Sequence, residues 1–126
     1  MRTPRQLRGT GAEDDAVAFL ERAGWRIVAR NVRIDGVEID ILAVDPGPLS
    51  TLVVVEVRSL TVSAFGSPEE RVDRTKVARL YRAMRAVRTL GLPPNVARLP
   101  RRVDLIAVDR TSGKTVIRHL RGLEPP

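Results

Sequence analysis

Two stretches decide the fold: VEIDILAV (37–44) and TLVVVEVRS (51–59), joined by DPGPLS (45–50). Both are short and rich in β-branched residues, as strands are. The Pro/Gly connector suits neither a helix nor a central strand, and its length makes the two strands antiparallel neighbours. Upstream, WRIVARNVR (25–33) is set off from residue 37 by the turn residues Asp35 and Gly36, which extends the pair to a three-strand meander. Before it, Thr10 and Glu13 have the spacing of a capping box. Ala12, Ala16, Phe19, Leu20 and Ala23 follow at helical intervals, and Gly24 supplies a left-handed stop. This predicts a helix over about residues 11–23, preceded by a flexible basic arm, MRTPRQLRG (1–9).

Downstream, Ser67-Pro68-Glu69-Glu70 reads as a helix start, with an N-cap Ser and Pro at the first position. Val72, Val77, Leu80, Met84 and Val87 form its apolar stripe, and Gly91 with Pro93 and Pro94 ends it. RVDLIAVD (102–109) is a largely buried strand and TVIRHL (115–120) a final one. The order is α-β-β-β-α-β-β, an α/β chain with one mixed sheet. The helical crossover makes the third and fourth strands parallel. Residues 10–122 form a single domain, and 123–126 a tail.

Composition narrows the function. Twenty-two Lys and Arg against fifteen Asp and Glu give +7 over 126 residues, an excess that points to a polyanionic partner, nucleic acid first. Aromatic residues make up only 3%, which argues against a broad stacking platform for single strands. Cysteine is absent, so disulfides, thiolate metal sites and cysteine nucleophiles are excluded. The lone histidine, His119, has no Gly-x-Ser-x-Gly elbow to accompany it as a hydrolase triad. No apolar run is long enough to cross a membrane and no leader pattern opens the chain, so the expected location is the cytoplasm.

Strand alternation puts Glu38, Asp40, Leu42 and Val44 on one face. If Val44 faces Leu52, Asp40 lies opposite Glu56 and Glu38 opposite Arg58. Facing carboxylates repel unless something neutralises them, and two carboxylates completed by water are a usual protein share of a Mg²⁺ site. The competing reading is a solvated acidic face with Arg58 paired to Glu38. Glu13 has a sufficient job as the capping partner of Thr10, but it also sits where the helix meets the sheet. Asp104, near the start of the fourth strand, is expected toward the opposite end of the sheet, in a structural role. Arg71, Arg74, Arg79, Arg82, Arg85 and Arg88 ring the second helix and are the candidate phosphate contacts.

Six segments in order, GAEDDA, RNVR, EIDILA, VVVEVRS, FGSPEE and VDLIAV, resemble the YraN family of uncharacterised bacterial proteins. That family is in turn similar to the PD-(D/E)xK nuclease superfamily, particularly the archaeal Holliday junction resolvases. The resemblance spans about Gly11 to Val108. It implies a restriction-endonuclease-like fold, Asp40 and Glu56 as ligands of Mg²⁺ or Mn²⁺, and Glu13 as a helix-borne carboxylate of the site. It also implies action on branched DNA and a possible homodimer. The superfamily's catalytic lysine falls on residue 58, which here is Arg58. Arginine holds a phosphate but stays protonated. Lys76 on the second helix is the candidate substitute, against the plainer reading of a solvated helix lysine. Three functions follow: a metal-dependent endonuclease for structured DNA, a non-catalytic nucleic-acid binder of the same fold, or an adaptor whose basic surface meets an acidic protein.

Overall fold

The computed structural model describes residues 4–60 and 74–125, with side chains for 11–59 and 74–125. Helix α1 spans Pro4–Arg22. It starts seven residues earlier than residue 11, so residues 4–9 of the expected arm are helical, while residues 1–3 lie outside the described residues. Pro4 is suited to a first helical turn, having no N–H to leave unpaired. Thr10 consequently lies inside the helix and is not its N-cap, which releases Glu13 from the capping role. At the other end Gly24, at φ +89°, closes a Schellman motif. The Trp25 N–H donates to the Leu20 carbonyl and the Gly24 N–H to that of Glu21, each at 3.0 Å.

Strands β1 (Arg26–Ile34), β2 (Val37–Asp45) and β3 (Thr51–Leu60) form the expected antiparallel meander. Asp35 and Gly36 both have positive φ, +50° and +75°, the signature of a two-residue hairpin turn that matches strand twist. Val44 pairs with Leu52, and the register runs on to Ile41 with Val55. The segment 61–73, which carries the expected helix start at Ser67-Pro68 and Arg71, lies outside the described residues. Helix α2 spans Arg74–Arg85, and the expected continuation to Gly91 tightens into a 3-10 turn over Val87–Leu90. Gly91 is left-handed there, as a stop residue should be. Pro94 does more than terminate: with its φ already set, it opens a short helix α3, Pro94–Ala97. Strands β4 (Arg101–Asp109) and β5 (Val116–Leu120) complete a five-stranded sheet in the order β1-β2-β3-β4-β5. The β3–β4 pair is parallel and β4–β5 antiparallel.

The sheet has a helix on each face, so there are two cores. Under α1, Ala12, Ala16 and Leu20 pack with Trp25, Ile41, Ala43, Val53, Val55, Ile106 and Val108; small alanines at four-residue spacing let the helix approach closely. Under α2, Leu80, Ala83 and Val87 pack with Ile39, Leu42, Val44, Leu52, Val54 and Val103. Simple alternation put Ile39 with Ile41 and Ala43. Instead Ile39 joins Leu42 and Val44 beneath α2, and Ile41 packs beneath α1. Strand β2 therefore changes face at Asp40. The partner strand has a register shift between Ile27 and Ala29, and Asn31, at φ +50°, falls between the paired positions Arg30 and Val32. Asparagine is among the few side chains that adopt this conformation readily, and such irregularities re-aim side chains near sites.

Candidate functional site

Asp40 sits where the β2–β3 ladder ends, one residue beyond the Ile41–Val55 pair. Its carboxylate accepts a hydrogen bond from the Val57 backbone N–H at 2.8 Å, so a side chain takes over an N–H of the neighbouring strand. Asp40 and Glu56 are hydrogen-bonded to each other, and Glu56 is only 5% exposed. Burial, the shared hydrogen bond and the charge of Glu56 push the Asp40 carboxyl up to about 8, while the Val57 N–H and the Lys76 ammonium pull it down. Two carboxyls placed this closely repel when both are charged, which favours the protonated form of Asp40.

Two cations meet the pair. Lys76 Nζ from α2 and an Arg58 terminal nitrogen each lie 3.5 Å from the same oxygen, Oε2 of Glu56. Arg58 Nε is buried with no hydrogen-bond partner among the described residues. Glu13 approaches from α1. Burial raises its carboxyl above the ordinary range, the negative charges of Asp40 and Glu38 add to this, and the Asn31 side chain and the Arg30 charge oppose it. Arg30 lies 3.8 Å from Glu13 and 2.7 Å from Asp14. Asp40, Glu56, Arg58 and Lys76 are therefore brought together, with Glu13 at the margin, near enough to be felt electrostatically. Among the described residues no set of three or more His, Asp or Glu side chains forms a metal-binding group. Two carboxylates completed by water are a ligand set Mg²⁺ accepts.

Sequence reasoning missed the roles of Asn31 and the Val57 N–H. The first had a signal in the run R-N-V-R, an Asn inside a strand pattern; a backbone donor has none. It also misplaced Asp104. The parallel register sets Asp104 beside Val55 and Leu105 beside Glu56, so Asp104 is one rung from Glu56 and not at the far end. What separates them is the sheet itself. Asp104 alternates with Val103 and so shares the α1 side with Ile106 and Val108, whereas Glu56 follows Leu52 and Val54 on the α2 side. On its own side Asp104 is fully buried. It accepts hydrogen bonds from Arg102 at 2.7 and 2.9 Å and from the Gly122 N–H at 2.9 Å, and lies 2.8 Å from His119 Nε2. Trp25 stacks edge-on to His119 and lies under the Arg102 and Arg121 guanidiniums. The residues after β5 are tied down as well: the Leu123 N–H donates to Val103 and the Leu123 carbonyl accepts from Tyr81 of α2. This cluster joins β5 and the chain end to the sheet, which suits a structural role.

Of the candidate phosphate contacts, Arg74, Arg79, Arg85 and Arg88 are exposed. Arg82 is exposed too, but pairs with Asp35 at 3.1 Å. Arg71 lies outside the described residues. No helix among the described residues is long and apolar enough to cross a membrane.

Comparison with known proteins places the chain among relatives that share its length. The profile of uncharacterised protein family UPF0102 matches residues 12–108. A UPF0102 protein of Arthrobacter sp. (strain FB24) is 40% identical over 121 residues, covering 94% of this chain and 97% of that protein. One from Janthinobacterium sp. (strain Marseille) is 36% identical over 109 residues, 86% of this chain and 82% of the relative. One from Persephonella marina is 43% identical over 76 residues, 60% and 63% of the two chains.

Proposed function

The chain belongs to uncharacterised protein family UPF0102, and from that premise we propose that it is a nucleic-acid-binding, nuclease-like protein of the cytoplasm, with structured DNA as its substrate. The observation that carries the proposal is the Asp40–Glu56 pair, a half-buried carboxyl raised in proton affinity against a buried one, beside two cations. Structural ion pairs lower a carboxyl's proton affinity; a site kept for a divalent ion leaves it raised until the ion arrives. Bound Mg²⁺ or Mn²⁺ would supply Lewis acidity toward a phosphodiester. The chain's own residues do the rest. Asp40 and Glu56 hold the ion, the Val57 N–H keeps Asp40 in place, Lys76 and Arg58 hold phosphate oxygens, and Glu13 adds negative charge from α1. The exposed arginines of α2 contact the backbone without reading sequence.

A second reading rests on Arg58. A permanently charged guanidinium on Glu56 competes with a metal ion and cannot relay a proton, which supports a binder without catalysis. One experiment addresses both: incubation with Mg²⁺ or Mn²⁺ and linear, flapped or four-way DNA, with Asp40→Ala as control. Metal-dependent cleavage lost in Asp40→Ala supports the nuclease. Salt-sensitive binding without cleavage supports the second reading. Absence of both refutes the proposal and leaves a basic adaptor surface. Gel filtration with light scattering tests the homodimer that two-stranded cleavage of a junction calls for.

A further inference from the structure

The basic excess of this chain is not spread over it. Residues 74–103 contain nine Lys and Arg and no Asp or Glu, while the rest of the chain holds thirteen basic and fifteen acidic residues. The whole positive balance therefore lies on α2, the 3-10 turn, α3 and the start of β4. Arg79, Arg82, Arg85 and Arg88 recur every third residue along this segment, and the row ends in a cleft of about 730 Å³. Arg88, Arg98 and Arg101 line the cleft together with Leu92, Pro94 and Leu99. The three arginines differ in what they have left to give. Arg101 is committed to the carbonyls of Met84, at 3.4 Å, and Ala97, at 2.8 Å, so it ties α2 to α3 and stiffens the cleft. Arg88 and Arg98 are exposed and make no ion pair among the described residues. They present free guanidiniums beside an apolar wall.

We propose that this cleft binds a nucleoside phosphate, with the phosphate on Arg88 and Arg98 and the base laid against Leu92, Pro94 and Leu99. Guanidinium forks match phosphate oxygens, an apolar wall takes the face of a ring, and the volume falls within the range of small-ligand sites. The site is separate from Asp40 and Glu56. Arg101 pairs with Leu52, and Leu105 with Glu56, four residues farther along β4 and so about 13 Å away. The ligand has two sources, a free mononucleotide or the terminal nucleotide of a strand tracked along α2; only the second rests on the nucleic-acid reading above.

Titration calorimetry with AMP and with inorganic phosphate tests the site, using the wild-type chain and Arg88→Ala/Arg98→Ala. AMP should bind more tightly than phosphate, and the double substitution should weaken AMP by about tenfold per arginine with an unchanged melting temperature, both side chains being exposed. Anisotropy with a blunt duplex and with a single-stranded overhang separates the sources. A preference for the overhang that vanishes in the double variant assigns the cleft to strand ends, and AMP binding without that preference assigns it to free nucleotide. The proposal is overturned if AMP binds no better than phosphate, or if AMP binding survives the double substitution. Loss of blunt-duplex binding or of metal-dependent cleavage, with AMP binding intact, counts against the nuclease reading and leaves the cleft standing.

Discussion

Replacing Asp40 by Asn removes a carboxyl whose proton affinity the fold raises from an ordinary 3.8 to about 8. Such a group stabilises the folded chain fully below its unfolded value, and that contribution is lost as pH climbs through its folded value. At about 1.4 kcal/mol per tenfold in proton affinity, the whole interval corresponds to about 6 kcal/mol. Asp40 keeps partial contact with solvent, which screens the anion, so about half of that, ~3 kcal/mol, is the expected size. Asn can still accept from the Val57 N–H and donate to Glu56 without ionising. Wild type should therefore lose ~3 kcal/mol relative to Asp40→Asn between about pH 4 and about pH 9, measured by urea unfolding at several pH values. Taking the difference between the two chains cancels titrating groups remote from Asp40. Near pH 8, Mg²⁺ should restore wild-type stability by mass action and leave Asp40→Asn unchanged. If the difference between the chains stays flat with pH, the fold does not raise the Asp40 carboxyl.

Asp104→Ala should destabilise the fold by about 3–5 kcal/mol, because it leaves a buried void and removes the acceptor shared by Arg102, His119 and the Gly122 N–H; urea unfolding showing under about 1 kcal/mol would contradict the hub. Against the opposing effect of burial, the bonds from His119, Arg102 and Gly122 hold Asp104 below its ordinary value, so its contribution is present above about pH 4 and fades as pH falls further. Neutralising Arg74, Arg79 and Arg85 together should reduce the slope of log affinity for DNA against log salt by about 0.9 per lost phosphate contact; Arg82, paired with Asp35, should contribute less. Arg58→Lys should raise metal-dependent cleavage with little change in binding. If instead Lys76→Ala abolishes a wild-type activity that Arg58→Lys leaves unchanged, the working cation is on α2.

Local pattern determined most of the architecture. Asp35-Gly36 needs two positive φ angles that few other pairs supply, Gly24 ends α1 for the same reason, and the β-branched runs can only be strands. Register was legible as well, because the short Pro/Gly connector leaves one comfortable pairing of Val44 with Leu52, which carries Asp40 to Glu56. The tertiary structure alone decided what depends on elements distant in sequence. Strand β2 changes face at Asp40 because β1 is irregular opposite it, and no pattern within VEIDILAV records that. Lys76 reaches Glu56 only because α2 crosses above β3, and the sheet, not distance along it, separates Asp104 from the carboxyl pair because parallel strands may slide without breaking alternation. Charge and turn chemistry are local and can be read residue by residue; which charges share a buried volume is set by packing, and that exists only once the chain has folded.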